Sequence, residues 1–133
     1  KNVAIIGAGA SGLMAAATIL ESSVEQNIHI HLFEKNTSPG KKVINPEVVV
    51  VMLRPGSKIK KYLPPSTQDD GILSKSHREF GPKKVREWFE SHGVPLKTED
   101  DLRVFPVSDD GRDIVGVFED IFKKNSSNIT LHY

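Results

Sequence analysis

Gly7, Gly9 and Gly12 stand in the order Gly-x-Gly-x-x-Gly, and Glu34 follows 22 residues after the last of them. Residues of these types at this spacing can hold a dinucleotide. Gly7 lets the chain turn sharply off a strand. Gly9 has no side chain, so a pyrophosphate can approach the backbone. Gly12 lets the following helix lie close to a sheet. The N–H groups of Ala10, Ser11 and their neighbours in the first helical turn then face the anion, with the helix dipole behind them. An acid about 20 residues further on accepts hydrogen bonds from both hydroxyls of a ribose and repels a 2′-phosphate.

The flanking residues supply the elements this chemistry needs. Residues 3–6 are an unbroken apolar run, as expected of a central parallel strand covered on both faces. Leu13-Met-Ala-Ala-Ala-Thr-Ile-Leu20 is a strong helix former, with small residues where a helix must lie on a sheet. Glu25-Gln-Asn27 is a polar break. Ile28, Ile30, Leu32 and Phe33 predict a second strand that ends at Glu34.

Further along, residues 48–53 are strongly β-forming. Residues 57–76 show little periodicity, and Pro64-Pro65 and Asp69-Asp-Gly71 mark loop or disorder. Order returns at Pro82, well placed to open a helix carrying Val85, Trp88 and Phe89; Gly93 and Pro95 stop it. Residues 96–98 and 102–105 are short strand candidates around the turn at 99–101. Ser108 or Asp109 is expected to cap a helix that runs to about Lys124. Its apolar face is Ile114, Val117, Phe118, Ile121 and Phe122. Residues 129–133 read as a final strand, and a right-handed crossover would lay it parallel to the first two. The fold class is therefore α/β, a Rossmann-type FAD/NAD(P)-binding fold with a partial parallel sheet. It reads as one truncated domain over 1–133 with an irregular segment at 45–77.

Composition narrows the chemistry further. The 133 residues suit one domain with a modest core, and 38% hydrophobic with 26% charged residues reads as globular. No run approaches the ~18 apolar residues of a membrane span. With no cysteine, disulfides, thiolate metal sites and cysteine nucleophiles are excluded. The five histidines lack metal-ligand spacing, although His29 and His31 would share one strand face. No basic-then-apolar leader is visible, which with the missing cysteines points to a cytoplasmic setting. Residues 41–92 carry eleven Lys and Arg against six acids, and 93–133 carry five against eight. That basic middle lacks the aromatic interleaving of a nucleic-acid surface, so it reads as a solvated face with some contacts to an anionic cofactor.

Several stretches resemble one family. They are Val3-Ala-Ile-Ile-Gly-Ala-Gly-Ala-Ser-Gly-Leu-Met-Ala-Ala16, Phe33-Glu-Lys-Asn-Thr-Ser-Pro-Gly-Lys-Lys42, Leu96-Lys-Thr-Glu-Asp-Asp101 and Arg103-Val-Phe-Pro-Val-Ser108. Together they are similar to the N-terminal third of the BaiN/HI0933-like flavoproteins, NAD(P)/FAD-dependent oxidoreductases. The resemblance implies bound FAD, with NAD(P)H as reductant. Gly7, Gly9, Ala10, Ser11 and Gly12 would hold its pyrophosphate, and Glu34 its adenosine ribose. Lys35, Gly40, Lys41 and Lys42 would border the adenosine half. The Asp and Arg residues of 81–109 would be structural, and no catalytic acid or base is implied.

One departure stands out. After the Gly-Lys-Lys turn the family carries a second glycine-rich stretch of the type Ser-Gly-Gly-Gly-Arg-Cys-Asn. Here Ile44 runs directly into Asn45-Pro-Glu47. The expected function is thus an FAD-binding domain of a flavin-dependent oxidoreductase. The alternatives are a non-catalytic nucleotide-binding remnant and a plain NAD-binding module. No nucleic-acid or membrane partner is expected. A short sheet would expose strand edges, so self-association is expected.

Overall fold

A computed structural model describes residues 1–22, 27–44, 79–100 and 103–133. The polar break at 25–26, the strand run at 48–53, the irregular segment 45–77 and the turn residues 101–102 lie outside the described residues.

The glycine motif joins two elements as its spacing requires. Strand β1 (Asn2–Ile6) enters the turn and helix α1 (Ala10–Glu21) leaves it. Gly7 takes φ +94°, a conformation that a side chain would strain. A Cβ at Gly12 would stand 1.9 Å from the Gly7 carbonyl oxygen, so that position demands glycine. Strand β2 (His29–Phe33) returns beside β1.

The segment after residue 79 forms helix α2 (Pro82–Ser91), strands β3 (Leu96–Thr98) and β4 (Val104–Pro106), helix α3 (Gly111–Lys124) and strand β5 (Ile129–His132). β3 and β4 pair as an antiparallel hairpin. Gly93 at φ +84° ends the α2 region, where the sequence places a stop. β4 sits later than the strand candidate at 102–105. The cap of α3 is neither Ser108 nor Asp109 but Asp110, whose carboxylate accepts from the Arg112 N–H. Asp109 takes φ +59°, which suits the turn before a cap and not the extended backbone of the cap itself.

The principal sheet runs β1-β2-β5, all parallel. β2 is therefore the central strand among those described, and β1 lies at an edge. The period-2 alternation of strands sorts the side chains onto two faces. Val3, Ile5, Ile30, Leu32, Ile129 and Leu131 share one face, and this is the face that builds the core with α1 and α3. Ala16 and Ala17 of α1 are fully buried, and their small size lets the helix pack closely. Ile114, Val117, Phe118, Ile121 and Phe122 of α3 are buried as the periodicity predicts, and Val115 widens the stripe. Each such side chain contributes roughly 1.5–3 kcal/mol on burial. Trp88 and Phe89 of α2 pack onto Phe118, with ring centroids 5.4 and 5.8 Å away.

The opposite sheet face carries Ala4, Ile6, His29, His31, Phe33, Thr130 and His132. Here the expectation for β1 is corrected. It is not covered on both faces among the described residues: Ala4 is exposed and Ile6 is 81% exposed. An apolar run permits double coverage without supplying the second layer. No described helix is long and apolar enough to cross a membrane.

Candidate functional site

Three parallel strands point their carboxyl ends the same way, and a cleft of about 530 Å³ opens there. That volume falls within the ~300–1,000 Å³ of small-molecule and cofactor sites. The glycine turn gives it Gly7, Ala8 and Gly9; the end of β2 gives Phe33, Glu34, Lys35 and Asn36. Lys41 and Lys42 come from the turn after Gly40, and His132 and Tyr133 from the end of β5.

Local bonds hold these pieces together. The Gly7 N–H donates to the Phe33 carbonyl at 2.7 Å, tying the turn to the end of β2. The Gly40 N–H donates to the Ala8 carbonyl at 2.8 Å, and Gly40 accepts from the N–H groups of Val43 and Ile44. Gly40 takes φ +66°, and a Cβ there would lie 2.6 Å from a Val115 methyl. Glycine at 40 thus lets the lysine turn dock beneath the glycine loop. Gly40 itself is buried and is not among the residues that line the cleft.

The start of α1 is chemically bare. Its cap, Gly9, has no side chain to accept from the first-turn N–H groups, and no acid stands in that turn. A Cβ built on Gly9 meets no protein atom within 4 Å. Ala10, Ser11 and Gly12 form this first turn, immediately behind the lining residues. The first N–H groups of a helix have no intrahelical acceptor, so this end favours an anion.

Glu34 faces the loop across the cleft. Its Oε2 accepts from the Ala8 N–H at 2.8 Å. Its Oε1 accepts from the Asn36 N–H at 2.9 Å and from Asn36 Nδ2 at 2.6 Å. The Asn36 backbone N–H, followed by that of Ala8, holds the Glu34 carboxyl below its ordinary value, so it is ionised at neutral pH. Lys35, Lys41 and Lys42 line the same cleft as this carboxylate. The cleft is also lined by apolar and aromatic side chains: Ile6, Phe33, His132 and Tyr133. Phe33 and His132 stack at 4.5 Å, and His132 is 3.1 Å from the His31 ring nitrogen.

Of the residues expected from sequence, Gly7, Gly9, Glu34, Lys35, Lys41 and Lys42 line one cleft. Sequence reasoning missed Ile6, Ala8, Asn36, Phe33, His132 and Tyr133. Asn36 carried a usable signal, since Asn shortly after a strand end is a turn former whose side chain bonds nearby groups. His132 and Tyr133 could have been found from topology, because a parallel neighbour ends beside its partners.

The described residues of segment 81–109 contribute nothing to this cleft. Several of its charges are paired locally: Arg86 donates to the Leu96 carbonyl, Arg103 pairs with Glu99, and Lys97 with Asp109. His29 bonds Thr130 at 2.8 Å on the open sheet face. Among the described residues no group of three or more His, Asp or Glu side chains could hold a metal ion.

A search of curated proteins gives no significant match. A family model described as the HI0933-like protein Rossmann domain matches residues 1–133. With the glycine turn, the parallel strands and Glu34 in place, the chain belongs to the HI0933-like Rossmann-domain family.

Proposed function

We propose that the chain holds the adenosine-diphosphate half of FAD and serves as the cofactor domain of a flavin-dependent oxidoreductase. One observation carries this reading. The uncapped glycine start of α1 and the ionised Glu34 face a single cleft at the carboxyl ends of the strands, joined by the Ala8-to-Glu34 bond of 2.8 Å. The donor set fits the group. The open space at Gly9 admits a pyrophosphate, and the first-turn N–H groups of Ala10, Ser11 and Gly12 would meet it. Lys41 and Lys42 would offset its charge, Glu34 would take the ribose hydroxyls, and Lys35 would border the adenosine. The aromatic wall of Phe33, His132 and Tyr133 offers a flat purine a stacking surface. When bound, the flavin would supply hydride exchange with NAD(P)H and with a substrate.

A second reading is a nucleotide-binding domain without turnover. It is favoured by the direct run from Ile44 into Asn45, where the similar flavoproteins carry a second glycine-rich stretch. A plain NAD-binding module would use the same Glu34.

Flavin spectroscopy separates them. The purified chain is titrated with FAD, desalted, and its visible spectrum recorded before and after NAD(P)H. Retained flavin absorbance that bleaches supports the flavoenzyme, and retained absorbance without bleaching supports the non-catalytic domain. A chain that takes up NADH but no FAD is the NAD module.

A further inference from the structure

Glu34 already accepts three hydrogen bonds of full geometry, beside a weaker pull from the Lys35 N–H, and the three alone leave it one site short for a ribose. An ionised carboxylate offers about four lone-pair sites, two on each oxygen. Oε2 gives one to the Ala8 N–H. Oε1 gives both of its sites to Asn36, one to the backbone N–H and one to Nδ2. A vicinal diol donating to both oxygens needs one open site on each, and Oε1 has none.

The three donors differ in how firmly they are held. The Ala8 N–H belongs to a turn fixed on one side by the Gly7-to-Phe33 bond and on the other by the Gly40-to-Ala8 bond. The Asn36 N–H is set by the backbone that leaves β2. Asn36 Nδ2 hangs on two rotatable side-chain bonds of a half-buried residue that lines the cleft. It is the donor that can leave without moving the chain.

We propose that the Asn36 side-chain amide is a placeholder for a ribose hydroxyl. It sits on Glu34 Oε1 in the free protein, and the diol of an incoming adenosine nucleotide displaces it. This inference rests on the nucleotide reading above. After displacement each carboxylate oxygen keeps one backbone N–H and opens one site, which matches the two hydroxyls of a ribose. The placeholder also keeps the ionised Glu34 satisfied and in one rotamer when no ligand is bound. The cost falls on affinity, because each binding event breaks a charge-assisted bond. A nucleotide without hydroxyls has nothing to exchange for it.

Calorimetric titration of the full chain with ADP and with 2′,3′-dideoxy-ADP tests this. The wild-type chain binds ADP more tightly than the dideoxy compound. Asn36→Ala tightens ADP on the order of tenfold, the size of one net hydrogen bond to a charged group. It leaves the dideoxy affinity unchanged, so the ratio of the two within one variant controls for any loss of folded protein. Unchanged ADP affinity, equal weakening of both ligands, or selective weakening of ADP overturns the placeholder. A wild-type chain that binds neither ligand overturns the nucleotide reading and the placeholder with it. A wild-type chain that prefers ADP, with no tightening in Asn36→Ala, overturns the placeholder alone. A second measurement needs no variant. The Asn36 side-chain amide resonances of the wild-type chain move toward water-exposed positions on saturation with ADP and stay in place with dideoxy-ADP. Resonances unmoved by saturating ADP overturn the inference.

Discussion

The starts of α1 and α3 present the same helix end in two chemical states. α3 is capped from within: Asp110 accepts from the Arg112 N–H, Asp113 stands in the first turn, and Ser108 donates to Asp113. α1 has glycine at the cap and no acid in its first turn. Both ends carry the same dipole. α3 neutralises it with its own carboxylates, whereas α1 has none in its first turn. A helix start without its own acceptors is a cost in a free protein, and here the glycine turn, Glu34 and the lysine turn converge on it. The other end of α1 is tied down. Glu21 accepts from Trp88 Nε1 at 3.0 Å and pairs with His92 Nε2 at 2.6 Å.

The largest expected effect comes from closing the α1 turn. Gly12→Ala drives a methyl onto the Gly7 carbonyl oxygen, 1.9 Å from the ideal Cβ position. Overpacking against backbone destabilises by about 3 kcal/mol, the upper end of the usual range. A denaturant midpoint equal to wild type would show that the turn is looser than described. Gly9→Val comes next and should separate binding from stability. Gly9 has extended backbone, φ −79° and ψ −175°, and open space at Cβ. The variant should fold normally and bind FAD on the order of tenfold to a hundredfold more weakly, since overfilling a close contact costs about 1–3 kcal/mol. Full retention of FAD affinity refutes the pyrophosphate placement.

Asp110→Ala sharpens the contrast from the other side. It removes the α3 cap and should lower the melting temperature by about 5 °C, the size of one lost cap in a small domain. FAD or ADP affinity should not change, because no atom of Asp110 lines the cleft. A loss of binding in this variant would mean that the two helix starts are coupled.

The smallest effect is a pH dependence at the tied end of α1. Both His92 nitrogens face acceptors, Nδ1 the Trp88 carbonyl at 2.7 Å and Nε2 the Glu21 carboxylate at 2.6 Å. Burial disfavours the charged ring and Lys124 opposes it, but the Trp88 carbonyl and Glu21 outweigh them and raise the His92 pKa above 6.5. A raised histidine adds stability that is fully present below pH 6.5 and is lost as pH climbs through the folded-state value. Trp88 is the single tryptophan, so its fluorescence can follow unfolding at each pH. His92→Gln should flatten the stability profile across this window; an unchanged slope would exclude His92 as its source.

The elements around the glycine motif were legible because their signals are local. Glycine spacing, an apolar strand and an alanine-rich helix lie within about 20 consecutive residues, and the acid ends the next strand. The α3 stripe was legible for the same reason, since Ile114, Val117, Phe118, Ile121 and Phe122 repeat at helical period. The α3 cap was placed one or two residues early because Ser108, Asp109 and Asp110 are all cap formers; the left-handed φ of Asp109 decides among them. The apolar run of β1 suggested two covered faces, but among the described residues strand order puts β1 at an edge, with Ala4 and Ile6 exposed.

By itself, then, the sequence determined the turn, its helix, the acid and the parallel α/β character, all of which follow from near neighbours and from period. The tertiary structure decided that Glu34 meets Ala8 across 26 positions, that Gly40 backs the lysine turn onto Val115, and that His132 and Tyr133 close the aromatic wall. It also decided that the Asn36 side-chain amide donates to Glu34 Oε1. Each of these depends on the distance and direction between groups on different elements, which are fixed only when the strands pair and the core packs.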